Sequence, residues 1–574
     1  MLPVGESSST DVDCRSEYRP AAWSGVLLIA VTVGVAFSNC YAVPFLLDDT
    51  CSIVDNLSIR RWWVLDEVLR PPGSAVTTVG RPILNLSLAL NYAFGGVQHL
   101  WAYHAVNVVI HLLAAWTLFG ILRRTMQLPS IGKAIHTHAD PLALGITLLW
   151  AVHPLQVESV TYVVQRAESL VGLFYLLTLY CVLRGSASSR AWAWNSAAVV
   201  CCAFGMGTKE VMVSAPVVVW LYDATFLAGT FAGALRQRWK LYLGLVSTWS
   251  VMALVVAMSI GRGHSAGFGF GMTAWEYART QFVNIVEYLQ VSVWPSPLIL
   301  DYGTDTVTDW RLWLPAAIVV GGLFAGTLVA LRRCRWVGFL GIWMFAILSP
   351  TSSFVPVFGQ TGAQHRMYLP LAAVIALLVI GGRLAIVAAF RRMQNGPPAW
   401  IVGLSRGLVP ALVVLLAIGT LWRNETYRMS ESIWLDTVQK RPNNWRGWAN
   451  LARAYLDAGD LARAEQTILH ALKLGPRNAV AHNHLGMLYH RTQRYEAAYY
   501  AFSRAIDCEP DLAMAYNNRG LVLKDLQNFG AAYADFNRAI TLQPRLSEPY
   551  NNRGALSAQL QNFEDALADL TRSL

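Results

Sequence analysis

Two adjacent carboxylates, Asp48 and Asp49, stand where the first membrane-length apolar stretch ends; segment 20–47 before them carries no charged side chain. Acids at a membrane surface are costly and mark function by default. Two side by side raise the pKa of one of them and make it a better general base. At this position a base would meet a lipid-borne substrate on one side and a soluble acceptor on the other. The residue types allow either assignment, Asp48 as base with Asp49 as orienter or the reverse. Asp also favours helix N-caps, so the pair has a purely structural reading as well.

Further polar residues fall at the ends of other apolar stretches: Arg81; His153, Glu158 and Arg166; Lys209 and Glu210; Asp301 and Tyr302; Gln364, His365 and Arg366. Acids, histidines and cations gathered on one face of a helical bundle are the pattern of a site. Glu158 and Arg166 lie eight residues apart, two helical turns, and are expected to share a face. His104 and His111 read as packing or hydrogen-bonded residues, and Asp223 as structural. No metal-ligand spacing is diagnostic, so a divalent metal is left open.

The elements that must position these residues are membrane helices. Of 574 residues, 55% are hydrophobic and only 14% charged, too apolar for a soluble core. The net charge of +10 comes largely from Arg clusters between apolar runs, and implies no nucleic acid. About eleven spanning helices fit before Trp422, at about 20 residues each. Six basic clusters (Arg15/Arg19, Arg123/Arg124, Arg184/Arg190, Arg236/Arg238/Lys240, Arg332/Arg333/Arg335 and Arg391/Arg392/Arg406) alternate with the spans. All are cytoplasmic together if segment 279–300 does not cross. The expected units are a cytoplasmic tail 1–20, a membrane domain 21–422, a linker helix 423–444 and a repeat array 445–574. The N-terminus does not read as a cleavable signal. The eight cysteines lack disulfide or zinc spacing and read as buried hydrophobes.

The array is tetratricopeptide (TPR) in type. Pro442, Pro476, Pro510 and Pro544 recur every 34 residues, with Ala452/Gly486/Gly520/Gly554 and Ala464/Ala498/Ala532/Ala566 in phase. Units 445–478, 479–512, 513–546 and an incomplete 547–574 follow. Asn450, Asn518 and Asn552 share one position, with His484 in the second unit; Asn483, Asn517 and Asn551 precede it. Facing the concave groove, such amides are expected to bond an acceptor peptide backbone.

The strings LLDDTCSIVDN, GRPILNLSLALNYAFGG, AVHPLQVESVTYVVQRAESLVGLFYLL, VWPSPLILDYG and PTSSFVPVFGQTGAQHRMYLPL resemble GT-C glycosyltransferases of the transmembrane-and-TPR O-mannosyltransferase family and its bacterial homologues. The resemblance implies an all-α fold, a GT-C-type polytopic membrane domain followed by a TPR α-solenoid. It implies transfer of a sugar, mannose by the resemblance, from a polyprenyl-phosphate donor to Ser/Thr hydroxyls of a secreted or periplasmic polypeptide held by the TPRs. One of Asp48 and Asp49 would be the base. Arg81, His153, Glu158, Arg166, Lys209, His365 and Arg366 would hold the donor, the cations carrying the phosphate charge. The protein would sit in a bacterial inner membrane with a cytoplasmic N-terminus and periplasmic TPRs, or in an ER membrane with lumenal TPRs. One departure is Gln364, where family members often carry Glu. It favours a second reading, a catalytically inactive TPR membrane scaffold. A third is a lipid-linked glycan ligase with a non-protein acceptor.

Overall fold

The computed structural model describes residues 19–73, 75–259, 272–353, 356–357, 359–390 and 398–573, and is all-α. The N-terminal tail before residue 19, with Cys14 and Arg15, and the Arg391/Arg392 pair lie outside the described residues, as do the side chains of Arg19 and Arg406.

Among the described residues, seven helices are long and apolar enough to cross a membrane: Leu100–Met126, Val163–Ser186, Glu210–Leu227, Phe231–Ser259, Trp310–Arg333, Pro370–Ala389 and Gly407–Thr426. Four more apolar helices, Trp23–Ala36, Ala139–Ala151, Ala191–Met206 and Arg335–Leu348, have 10–17 residues. Four of the apolar runs expected as spans are thus shorter helices. The reason is local chemistry. His153-Pro154, Gly207 and Ser349-Pro350 break the backbone before the apolar run ends. Likewise the first run stays helical only to Ala36, and 37–47 is turn, 3-10 and irregular backbone. The freed ends carry the polar residues.

Helix Ala274–Val293 is amphipathic rather than apolar and starts with a capping box between Thr273 and Glu276. Its buried face carries Tyr277, Gln281, Asn284 and Tyr288. These hold Thr351, Thr361 and Ala363: Tyr277 donates to Thr351 O (2.6 Å), Gln281 and Asn284 donate to Thr361 O (2.8 and 3.0 Å), and Ala363 N donates to the Tyr288 hydroxyl (2.7 Å). In the bundle core His111 bonds the Tyr368 hydroxyl and Ala151 O, both at 2.9 Å, and His104 bonds Val43 O at 2.8 Å. Asp223 is buried against Arg238 (2.7 Å) and Tyr242 (2.5 Å). All three are packing residues, as their sequence positions suggest.

The C-terminal part stacks helix pairs Trp445–Asp457/Leu461–Leu474, Ala479–Arg491/Tyr495–Cys508, Ala513–Asp525/Phe529–Leu542 and Ser547–Gln559/Phe563–Ser573. A Cβ at Gly486 or Gly520 would stand 2.6 or 2.7 Å from the ring of Phe502 or Phe536, so glycine permits the close approach within each pair. Helix Ser430–Lys440 precedes the array and fixes it to the membrane part. Arg441 forks onto Glu287 (2.6 and 2.7 Å), Lys440 donates to Leu298 O (2.8 Å), Asn444 to Asp301 O (2.9 Å), and Arg446 meets the Asp301 carboxylate at 3.1 Å.

Candidate functional site

The two first-loop acids have separate environments. Asp49 is fully buried. Its carboxylate accepts from the backbone N–H of Leu46 (3.0 Å) and of Val164 (2.8 Å), tying the loop to the start of the Val163–Ser186 helix. Burial pushes its carboxyl up to about 8, against the lowering pull of those N–H groups. Asp48 is exposed and accepts one bond, from Thr77 Oγ1 at 3.0 Å. Leu47 between loop and acids has φ 45°, the left-handed region that costs a leucine about 1–2 kcal/mol. The Asp49 clamp holds that turn and so aims Asp48 outward. Neither acid makes a side-chain N-cap bond to the short helix Thr50–Val54 that follows.

From Asp48 a line of polar contacts crosses the bundle end. Thr77 also accepts from Arg81 Nη1 through its carbonyl (3.1 Å), and Arg81 Nη2 faces Glu210 at 3.4 Å. The left-handed Gly80 (φ 73°), where a Cβ would stand 2.8 Å from Ser259 Oγ, makes the turn that presents Arg81. The Lys209-Glu210 turn points its two charges apart: Glu210 to Arg81, Lys209 to the buried Glu168 at 2.6 Å. Glu168 lies 3.6 Å from His365 Nε2, and His365 Nδ1 bonds Glu158 at 2.7 Å. Asp48, Arg81, Glu158, Lys209 and His365 are thus brought together. Glu168 was missed by sequence reasoning, and its signal was an acid inside the otherwise apolar run that follows Arg166. Glu210 belongs with it.

Arg166 and His153 stand apart from this line. Arg166 is fully buried, donating to Asn107 (2.6 Å), Asn91 (2.6 Å), Ser87 O (3.1 Å) and Tyr103 O (3.1 Å). Its guanidinium is spent on neutral acceptors that knit the Pro82–Ala93 and Leu100–Met126 helices to its own. It shares no helix face with Glu158, because Glu158 ends up on the separate turn Val157–Thr161. His153 caps the turn Pro154–Gln156, its Nδ1 accepting from Leu155 N at 3.2 Å.

Arg366 is buried without a carboxylate contact. Nη1 spreads over Tyr277, Gln281, Ser352 and Thr361 O at 3.2–3.4 Å, and Nη2 donates to Gln360 O at 2.7 Å. Gln364 turns away from the polar line. Its Oε1 accepts from Ile299 N (3.1 Å), and its Nε2 donates to the Tyr302 hydroxyl (2.7 Å) and Pro297 O (3.4 Å). It clasps the loop on which the TPR part docks. Among the described residues no group of three or more His, Cys, Asp or Glu is arranged to hold a metal ion.

Beside Arg81 a largely apolar groove of about 450 Å³ opens between the first loop and the helices Ala191–Met206 and Trp249–Ser259. Gly80, Pro82, Ile83, Phe204, Leu254 and Met258 line it, and Asp66 and Arg70 stand at its rim. On the other side the TPR array reaches back: Glu548 of the fourth repeat acts on Asp55 of the first loop, whose carboxyl is raised by burial and by that neighbouring charge.

The repeat asparagines bond one another. Asn518 Nδ2 donates to Asn483 Oδ1 (3.0 Å) and Asn552 Nδ2 to Asn517 Oδ1 (2.8 Å), with Asn517 Nδ2 donating to Asn518 at 3.3 Å. The expected ladder exists, but part of its capacity joins successive repeats. Asn450 and the exposed Asn551 make no such bond. His484 is buried, and burial lowers its imidazole to about 4.

The tetratricopeptide-repeat family matches residues 422–513 and, through a second profile, 513–546. Among curated proteins, the protein O-mannosyl-transferase TMTC4 of Mus musculus is 26% identical over 505 residues, covering 78% of this chain and 66% of that protein. TMTC3 of Mus musculus is 22% identical over 519 residues, covering 83% and 54%. The tmtc2 protein of Xenopus laevis is 33% identical over 210 residues, covering 35% and 23%. The chain spans two thirds or less of the length of these relatives. Among solved structures, a crystal structure of MamA matches 25% of this chain and 84% of its own at 22% identity, with a TM-score of 0.23. This is a TPR-containing, polytopic helical membrane protein distantly related to the TMTC/GT-C O-mannosyl-transferases.

Proposed function

We propose that this protein is a glycosyltransferase that moves a sugar from a polyprenyl-phosphate donor to Ser or Thr hydroxyls of a polypeptide held by its TPR array. The observation that carries the reading is the division of labour at Asp48-Asp49. One acid is buried and locks the loop; the other is exposed and accepts only one hydrogen bond. The acceptor oxygen attacks the anomeric carbon, its proton passes to Asp48, and the carbon–oxygen bond to phosphate breaks. The phosphate leaves as an anion and needs a cation rather than an acid. Arg81 serves best, since Lys209 is committed to Glu168 and both Arg166 and Arg366 are committed to neutral acceptors. The groove beside Arg81 suits the prenyl chain. The sugar as mannose rests on the distant relatives, whose printed names are protein O-mannosyl-transferases. The scaffold reading loses its main support, because Gln364 is engaged in a loop clasp in which a carboxylate would face Pro297 O.

The test is transfer by the purified full chain in detergent, from polyprenyl-phosphate-mannose to a Ser/Thr-rich peptide and, in a parallel arm, to an oligosaccharide. Product on the peptide that Asp48→Asn abolishes supports the reading. Product only on the glycan moves it to the ligase. No product from any polyprenyl-phosphate sugar, with folded protein that still binds peptide, moves it to the scaffold.

A further inference from the structure

A second cavity lies toward the opposite end of the membrane helices. It has a volume of about 90 Å³ and its lining is almost wholly apolar. Along Leu100–Met126 it starts at Leu118, eleven residues or about 16 Å beyond Asn107, which bonds Arg166. Along the Val163–Ser186 helix it starts at Leu176, about 12 Å beyond Glu168. Ala372, Ala373 and Ala376 on one wall leave the space that Trp336, Phe339 and Trp343 face from the other. Its two hydroxyls, Thr125 and Tyr222, bond each other at 2.5 Å and ask nothing of an occupant. From Ala372 to Ile380 the slot runs eight residues, about 12 Å, parallel to the helices. A slot this narrow, long and dry accepts a hydrocarbon chain and has no partners to offer water.

Its polar end is cationic. Ile131 and Ile135, which line it, flank Lys133; Trp336 follows Arg335, and Thr125 follows Arg124. Arg332 and Arg333 end the preceding helix. All five cations are exposed. Among the described residues none of them meets a carboxylate: Arg335 donates to Gly229 O, Arg124 lies over the Tyr180 ring, and the nearby acids Asp140 and Asp223 belong to Arg123 and Arg238. Ser130 donates to Phe226 O at 3.2 Å, so the 130–135 and 226–229 segments and Arg335 converge at this end. Unpaired cations at the mouth of an apolar slot complement a phosphate headgroup above an acyl chain.

We infer that this cavity is a binding site for an anionic phospholipid, one acyl chain in the slot and its phosphate on Lys133 and Arg335. The site lies apart from the Asp48 line and does not rest on the transferase reading. It is tested with full-length protein in nanodiscs doped with phosphatidylglycerol or phosphatidylcholine, each bearing a photoreactive group on the acyl chain. Phosphatidylglycerol should label peptides spanning 118–135 and 336–380 at least about tenfold more than phosphatidylcholine. Lys133→Glu with Arg335→Glu should abolish that preference. Ala376→Trp should fill the slot and remove the labelling at an unchanged melting temperature, with Ala373→Leu as the second variant should the first not fold. Equal labelling by the two lipids, labelling unchanged in a folded slot-filling variant, or displacement of phosphatidylglycerol by equimolar polyprenyl phosphate would each overturn the assignment.

Discussion

At the scale of single residues, the two aspartates should separate by experiment. Asp48→Asn should abolish sugar transfer and leave the melting temperature in place, because Asp48 holds one exposed bond to Thr77. Asp49→Asn should cost about 1–3 kcal/mol, since the amide accepts one backbone N–H and turns its own NH2 against the other. Equal melting temperatures for the two variants would refute the division. Asp49 also sets a pH dependence. Its folded pKa, pushed up to about 8, lies above the unfolded value near 3.8. Between these values the folded state binds a proton that the unfolded state has lost, so stability is greatest below about pH 4 for this group and falls as pH rises toward 8. Asp49→Asn should flatten that slope in chemical denaturation followed from pH 5 to 8, and an unchanged slope would count against it. The buried Lys209–Glu168 pair gives a further prediction: Lys209→Met alone should destabilise by about 3–5 kcal/mol by stranding Glu168, and Lys209→Met with Glu168→Leu should regain most of it. A double variant no more stable than the single would show that the pair is not what matters.

At the scale of elements, the sequence separates legible from illegible features by how local their causes are. Apolar runs and the 34-residue phase are local, and both the membrane helices and the repeat pairs stand where those patterns put them. Helix ends inside apolar runs were not legible: segment 336–365 reads as one uncharged stretch, yet Ser349-Pro350 ends the helix at Leu348, and Ser352, Gln360 and Thr361 beyond it bond Arg366. The engagement of Arg166 was not legible for a related reason. A charged group at the head of a span looks available, and only the fold shows the asparagines and carbonyls that consume it. Glu168 was hidden the same way, since its partners Lys209 and His365 are far along the chain. Gly459, Gln493, Gln527 and Gln561 occupy the same turn in successive units at φ 78°, 58°, 59° and 63°. Only the first is glycine. Gln527→Gly should therefore stabilise the array by about 0.5–1 kcal/mol, and Gly459→Gln should destabilise it by a similar amount, read as opposite shifts in thermal melting. Shifts of the same sign would mean that side-chain contacts, not backbone strain, govern the turn.

At the scale of the whole molecule, the TPR array and the membrane bundle act as one body because charged contacts pin the array to the loop next to His365. Arg441 forks onto Glu287 and lies over the Tyr302 ring at 5.1 Å, Arg446 meets Asp301, and Gln364 grips the same loop from beneath. The far end of the array comes back to the first loop, where Glu548 acts on Asp55, seven residues past Asp48. On the proposed function, an acceptor lying along the repeats would be directed toward Asp48. If docking serves that purpose, its loss should be felt by long acceptors and not by short ones. Arg441→Ala with Arg446→Ala should raise KM for an acceptor polypeptide long enough to span the repeats by about tenfold, the worth of roughly 1.4 kcal/mol of lost positioning. The same double variant should leave kcat/KM for a short Ser/Thr peptide within about twofold, since that substrate reaches Asp48 without help from the array. A parallel loss for both acceptors would mean that these arginines support the His365 loop itself, through Asp301 and Tyr302, rather than the delivery of substrate.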